Sequence, residues 1–344
     1  MSATEAARPA AYHRLATLRP AWSSWPKPLL TLAAAFIAYV VLASVLLVLT
    51  ILVLALAPGV NVAIGVTSGD PTSPLDVGLA LAMGALWWPA GLIGVRVGGW
   101  RPPRLTWSVA ARVRRELLRS MTAHVMIGGL VVVALAALAG LLAGPGAAPD
   151  PAADGGAGVL SRLLVILLVL VLAPLQALGL ELTLRGVVLQ ALGTWLRSPV
   201  VPILVTAAFA LIGRQLTPAV VIPALAVALA AAVLAWKTGG LELPILLTLT
   251  LTVAAMIVSA LTAGTGAGTG VSALGAAVAA PGTSAAALAA PEAAAAWAGG
   301  VVSAVALLAL TVVIMVVVSR REGLRLLQPV GRPAAEPVPE PVPF

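Results

Sequence analysis

Glu181 and Arg185 lie four residues apart in a run from Pro174 to Gly186 that is otherwise built mainly from leucine and other apolar residues. On a helix, positions i and i+4 share a face with Cβ atoms about 5–6 Å apart, so the carboxylate and the guanidinium can pair. A charge at membrane depth costs about 2.5–3.5 kcal/mol on insertion scales, so such a pair marks either a working site or a deliberate lock. As a site, Glu181 is a lone general base tuned by Arg185. As a lock, the two charges neutralise each other inside a helix bundle. A nearby cation keeps a carboxylate ionised and lowers its basicity, which favours the lock.

The other reactive side chains are sparse. The chain has no cysteine and only two histidines, His13 and His124. A zinc site needs three or four clustered ligands, and His124, Glu181 and Glu242 come from three separate segments. No His-Glu-x-x-His run exists. Ser161, Ser259 and Ser303 lack a His or Lys partner at membrane depth, so serine-nucleophile schemes fail. We expect neither a metal nor a cofactor. Glu242, beside Lys237 at the start of the seventh run, reads as a capping or interfacial charge near a helix N-terminus. The run Gly264–Gly270 has no lysine and follows no strand, so it reads as loop rather than as a phosphate cradle.

The elements that must hold these residues are membrane helices. Of the 344 residues, 61% are hydrophobic and 9% charged, against about 25% charged in a soluble domain, so lipid is the solvent. Crossing the hydrocarbon core takes about 20 apolar residues. Eight runs qualify or nearly so: Leu29–Leu56, Val77–Val97, Met121–Leu142, Val159–Leu178, the short Val200–Ile212, Ala219–Trp236, Leu243–Leu261 and Val301–Val318. They show no strand-like alternation and exceed strand length, which excludes a β-barrel. Lys and Arg gather before the first run, between Arg96 and Arg119, around Arg185, Arg197 and Lys237, and from Arg320 onward. The intervening segments around Asp70, Asp150 and Glu292 have them only at their margins, Arg162 and Arg214. That alternation predicts a multi-pass protein of the cell membrane with both termini cytoplasmic. The net charge of +8 sits beside apolar spans, so it implies anionic headgroups and no nucleic acid.

The expected organisation has three parts. Residues 1–28 form a basic cytoplasmic tail with an interfacial helix, in which Tyr12, Leu15, Leu18 and Trp22 interleave with His13, Arg14 and Arg19. Residues 29–318 form the transmembrane domain, with outer low-complexity loops at 143–158 and 263–299, the Ala-rich Ser284–Ala298 part of the second being compatible with a helix. Residues 319–344 form a cytoplasmic Pro-rich tail, polyproline-like from Pro329. A second basic amphipathic piece, Trp107–Arg119, is also expected to lie in the headgroup layer.

The segment Pro174 to Gly186, then Ser198-Pro199, Phe209 and the stretch from Trp236 to Glu242, resembles the CPBP family of intramembrane proteases. This family includes CAAX prenyl endopeptidases and bacteriocin-processing and immunity proteins. The Trp87-Trp88-Pro89 run and the arginine-rich loop after it look like actinobacterial-type, hence bacterial, members. The resemblance implies a CPBP-like core over about 159–262 and a site built on Glu-Glu-x-x-x-Arg, Phe-x-x-x-His and His-x-x-x-Asn. In the family the first Glu and first His are thought to activate water, while the second His and the Asn stabilise the oxyanion. Here the first Glu falls on Leu180, the second on Glu181 and the Arg on Arg185. The Phe is Phe209, the first His falls on Gly213, the second on Thr248 and the Asn on Thr252. Leu180 and Gly213 can take no proton. Thr248 and Thr252 keep hydroxyl donors on one helix face, although a threonine in a lipid-buried helix commonly bonds its own i−4 carbonyl.

The expected fold is all-α, a bundle of about eight spans, with Pro174, Gly179, Pro223 and Pro244 kinking helices around a central cleft. The expected function is that of a catalytically inert relative acting by binding or scaffolding. Its partners would be the bilayer and a membrane protein or lipidated peptide. The alternatives are an active CAAX-type endopeptidase using Glu181, and a small transporter or channel lined by Thr248, Thr252 and the Glu181–Arg185 pair.

Overall fold

The computed structural model describes residues 9–56, 70–144, 158–212, 216–278, 290–333 and 337–338. Among the described residues, seven helices are long and apolar enough to cross a membrane. They are α1 (Lys27–Ala55), α2 (Pro74–Gly98), α3 (Arg115–Ala143), α4 (Val159–Trp195), α6 (Pro218–Thr238), α7 (Glu242–Leu261) and α9 (Ala290–Glu322). The described residues also include two shorter apolar helices, α5 (Val200–Phe209) and α8 (Gly266–Val278). The chain is a polytopic all-α bundle, as its composition requires.

Side-chain contacts sort the helix ends into two groups. At one end, here the near end, the Tyr12 hydroxyl donates to the Thr106 carbonyl and Lys237 Nζ donates to the carbonyls of Arg325 at 2.9 Å and Gln328 at 2.6 Å. Two short strands also pair there antiparallel, β1 (Ala10–Ala11) with β2 (Gly331–Arg332). At the far end, Ser161 Oγ donates to the Thr72 carbonyl at 2.7 Å, and Gly140 packs on Gly266 and Gly270. Both terminal segments therefore lie at one end of the bundle.

The chain must then return from Trp195 at the near end to Pro218 at the far end. The element on that path is α5, whose 10 residues rise about 15 Å, half of a 30 Å hydrocarbon core. The fifth expected span thus exists only as a short helix. Gly213 and Arg214, which follow it, lie outside the described residues, as do Asp150 and nearly all of the expected outer loop 143–158.

The other expected outer loop is corrected more sharply. Residues 266–278 form α8, and α9 begins at Ala290, well before the expected Val301. All of α8, but only the start of α9, falls inside the expected loop 263–299, and the start of α9 lies in the Ala-rich part expected to be able to form a helix. The glycines make α8 possible as a packed element, because a Cβ on Gly270 would lie 2.6 Å from the Ala136 carbonyl oxygen and 2.7 Å from the Gly140 Cα. Small residues allow this backbone-to-backbone approach where lipid supplies no hydrophobic drive between helices. Val271, Leu274 and Val278 of α8 join the main apolar core with Val132, Leu234, Leu247, Leu251 and Leu307.

The tails also differ from expectation. Tyr12 and Leu15 are 0% exposed and pack with Val109, Leu182, Leu189 and Leu241, so this 3-10 turn (Tyr12–Thr17) is buried in protein. Val109 is likewise buried, and its N–H donates to the Gly239 carbonyl at 2.8 Å; from Arg115 onward the second amphipathic piece is the first turn of α3. Arg332 is buried and donates to the Val109 carbonyl at 2.6 Å, so the Pro-rich tail is anchored at its start. Residues 334–336 and 339–344 lie outside the described residues.

His13 titration couples to this anchoring. The ring is buried, and its Nε2 donates to the Arg197 carbonyl at 3.1 Å. Burial lowers its pKa, the Arg197 carbonyl opposes that, and the charge of Arg14 lowers it further. The unfolded chain therefore binds the proton more readily than the fold. Stability from the neutral ring is present above an unfolded pKa of about 6.5 and is lost as pH falls below it. Unfolding temperature should fall between pH 7.5 and pH 5, and His13→Gln should flatten that slope. An unchanged slope in the variant would show that other groups carry it.

Candidate functional site

Of the residues singled out in the sequence, Glu181, Arg185 and Thr248 meet where α4, α6 and α7 pack. The α4 helix runs from Val159 to Trp195, and its stretch Leu182–Val188 is π-helical, beginning directly after Glu181. Single π turns inside α-helices recur at functional sites. Thr183 within that turn donates to the Trp87 carbonyl at 2.6 Å, against Gly91, where a side chain would have no room. One turn earlier, a Cβ on Gly179 would fall 2.7 Å from the Gly84 carbonyl oxygen and 2.9 Å from the Trp88 N. These contacts press α4 onto α2 and fix which way Glu181 points.

Glu181 is 1% exposed and Arg185 is 3% exposed. Arg185 Nη1 lies 3.2 Å from Glu181 Oε1, and its Nη2 donates to the Ala228 carbonyl of α6 at 3.1 Å. The i,i+4 pair expected from the spacing is formed. Thr248 Oγ1, which the general habit of membrane threonines would send to its own i−4 carbonyl, donates instead to Glu181 Oε1 at 2.6 Å. Its neighbour Thr250 does follow the habit, donating to Leu246 at 2.8 Å. Thr252 is fully buried, and its hydroxyl, Glu181 Oε2 and Arg185 Nε have no hydrogen-bond partner among the described residues. Thr248 stands six residues into α7 from Glu242, or about 9 Å along the axis, so the cluster is closer to the near end.

The expected central cleft is filled at these residues. Leu180, Glu181, Arg185, Thr248 and Thr252 are all buried, and Leu182 packs under Tyr12 and Leu15 from the N-terminal segment. Pro174 and Pro223 sit inside continuous helices, and Pro244 lies in the first turn of α7, where a missing N–H goes unused. Phe209 ends α5 and is 37% exposed. Gly213 lies outside the described residues, so the structure says nothing of how close it comes to Glu181.

Among the described residues no three His, Asp or Glu side chains converge. Arg185 also sits where a cation would approach Glu181 Oε1, so the donor set does not suit a metal there. His124 is exposed on the outer face of α3, away from this cluster. Ser161 and Ser303 donate to backbone carbonyls.

Two long-range polar contacts escaped the sequence reading. Glu242, expected to be an interfacial charge, accepts from Arg114 Nε at 3.0 Å and Nη2 at 2.7 Å, while Arg114 Nη1 donates to the Thr238 carbonyl at 2.5 Å. Gly239, left-handed at φ 72, turns the chain out of α6, and Gly240 leaves space that a side chain would take from this ion pair. Gln176, fully buried in α4, donates to the Val278 carbonyl at the end of α8 at 2.9 Å. The partners of Glu242 and Gln176 are 128 and 102 residues away, so no local spacing could have flagged them.

Comparison with known proteins places this geometry. Residues 161–254, from the start of α4 into α7, match the family model described as type II CAAX prenyl endopeptidase Rce1-like. That agrees with the resemblance to the CPBP family. Searches of curated proteins and of solved structures returned no match.

Proposed function

From an Rce1-like domain over residues 161–254 in a multi-pass membrane bundle, we propose a catalytically inert relative of the CAAX prenyl endopeptidases that acts by binding or scaffolding. The observation that carries this is the state of Glu181. Its Oε1 is engaged by both Arg185 and Thr248, and the residue beside it is Leu180. A general base must hold a lone pair within reach of water. Burial of Glu181, 1% exposed, works against that, and the guanidinium at 3.2 Å and the Thr248 hydroxyl at 2.6 Å already engage Oε1. Thr248 occupies the family's oxyanion position, yet its proton is directed at Glu181, so that donor is already spent on a carboxylate.

The ion pair is then the retained frame of a family site. It holds α4 against α6 through Arg185 and against α7 through Glu181. The density of Lys and Arg at the near end supports placing that end, with both terminal segments, in the cytoplasm. A membrane protein or a lipidated peptide is the partner class that the family frame suggests.

The test is peptide cleavage in proteoliposomes, using farnesylated and unprenylated peptides. We expect no cleavage above a protein-free control in either the wild type or Glu181→Gln. Cleavage by the wild type that vanishes in Glu181→Gln would establish an active endopeptidase. Solute flux that depends on Thr248 and Thr252 would instead establish a transporter.

A further inference from the structure

A groove of about 320 Å³ opens on the outer face of the bundle between α3 and α9, away from the Glu181 cluster. Its walls are Ala123, His124 and Ile127 on one side and Val313 and Val317 on the other, with Leu310 seated over Gly128 at one end. Both helices are membrane spans, so the groove runs at hydrocarbon depth along the bundle surface.

The helical register adds charge at its near-end mouth. Arg119 lies one turn from Ala123, and Arg320 and Arg321 lie three and four residues beyond Val317, on the face that lines the groove. Side chains on a helix lean toward its N-terminus, which tips Arg320 and Arg321 back toward the groove. All three arginines are exposed, as is Arg115. Glu116 and Glu322 are the acidic residues at this mouth, so cations are in excess.

We propose that this groove binds an anionic glycerophospholipid, with an acyl chain between α3 and α9 and its phosphate at Arg119, Arg320 and Arg321. The apolar walls set the requirement for a chain and the arginines set the requirement for a negative headgroup. His124, the polar side chain on the wall, is placed to hydrogen-bond the ester region. The occupant bridges two helices that lie far apart in the sequence, so it stabilises their packing. This inference does not depend on whether the protein is a protease.

The experiment uses the full chain, purified in detergent, with dioleoyl phosphatidylglycerol, dioleoyl phosphatidylcholine or inorganic phosphate added. Retained lipid is counted by native mass spectrometry and thermal unfolding is followed in parallel. We expect phosphatidylglycerol to bind on the order of tenfold more tightly than phosphatidylcholine, since each exposed basic residue near a bilayer adds a modest, salt-screened attraction. The triple variant Arg119→Gln, Arg320→Gln, Arg321→Gln should lose that preference while still binding lipid. Ala123→Phe, which fills the groove, should weaken both lipids. Should Ala123→Phe lower the lipid-free unfolding temperature, Val313→Phe fills the groove from the opposite wall. Equal binding of the two lipids, a preference that survives in the triple variant, or full stabilisation by phosphate alone would each overturn the proposal.

Discussion

Arg185→Ala should destabilise the protein by about 3–5 kcal/mol, the usual consequence of removing one partner from a buried ion pair. The variant leaves the Glu181 carboxylate 1% exposed, with Thr248 as its remaining polar contact among the described residues. Glu181→Ala should cost a similar amount, because the guanidinium would keep only the Ala228 carbonyl at 3.1 Å. The double variant should be no worse than the poorer single one, since two apolar residues leave no uncompensated charge. Thermal unfolding followed by tryptophan fluorescence measures all three. Simple additivity would mean that the charges do not depend on each other, and the lock would fail.

Gly270→Leu should have an effect at least as large. A Cβ at this position meets the Ala136 carbonyl oxygen at 2.6 Å, the Gly140 Cα at 2.7 Å and the Gly140 N at 3.0 Å. From the other side, Gly299 packs directly on the Gly270 backbone. These are backbone atoms of α3 and α9 and cannot rotate aside, so α8 would have to leave its seat. Overpacking a core costs about 1–3 kcal/mol when side chains can adjust, and more when they cannot. Size-exclusion chromatography should show loss of the monodisperse species. Gly275→Ala is the control, because its nearest neighbours are 3.9 and 4.0 Å away, ordinary contact. A folded, monodisperse Gly270→Leu would show that α8 is not wedged between α3 and α9.

Gly270 also explains why part of the fold was illegible. In water, a run such as Gly264–Gly270 signals a loop, because glycine gives up more backbone entropy on folding than other residues. In lipid the same residues let helices touch, and which of the two applies depends on whether a partner backbone lies opposite. Gly140 and Gly299 supply that partner from distant positions. The fifth span failed for a different reason: Val200–Ile212 has the composition of a membrane helix, but composition cannot say how far a short helix reaches. Tyr12, Leu15 and His13 form an amphipathic pattern that suits a headgroup layer as well as a groove in the protein. Only the position of Leu182, Leu189 and the Arg197 carbonyl decided for the groove.

The site divides along the same line. The Glu181–Arg185 pair was readable because its spacing is local, and the helical repeat alone brings the two charges together. The positions Leu180, Gly213, Thr248 and Thr252 were readable as candidates once the family resemblance was laid over them, though Gly213 lies outside the described residues. That Thr248 turns its hydroxyl to Glu181 was not, because the choice between an i−4 carbonyl and a carboxylate on another helix depends on how α7 is rotated against α4. The same holds for Arg114 and Glu242.

By itself, the sequence determined that this is an all-α membrane protein, with a charge pair at i,i+4 in an apolar helix and a resemblance to the CPBP family. Hydropathy, helical periodicity and residue chemistry are local properties, and these conclusions need nothing more. The tertiary structure alone decided that α8 is a packed helix and that the terminal segments lie together at one end of the bundle. It also decided that Glu181 is closed in by Arg185 and Thr248. Each of those depends on which backbones approach one another, a matter of packing between segments tens to hundreds of residues apart.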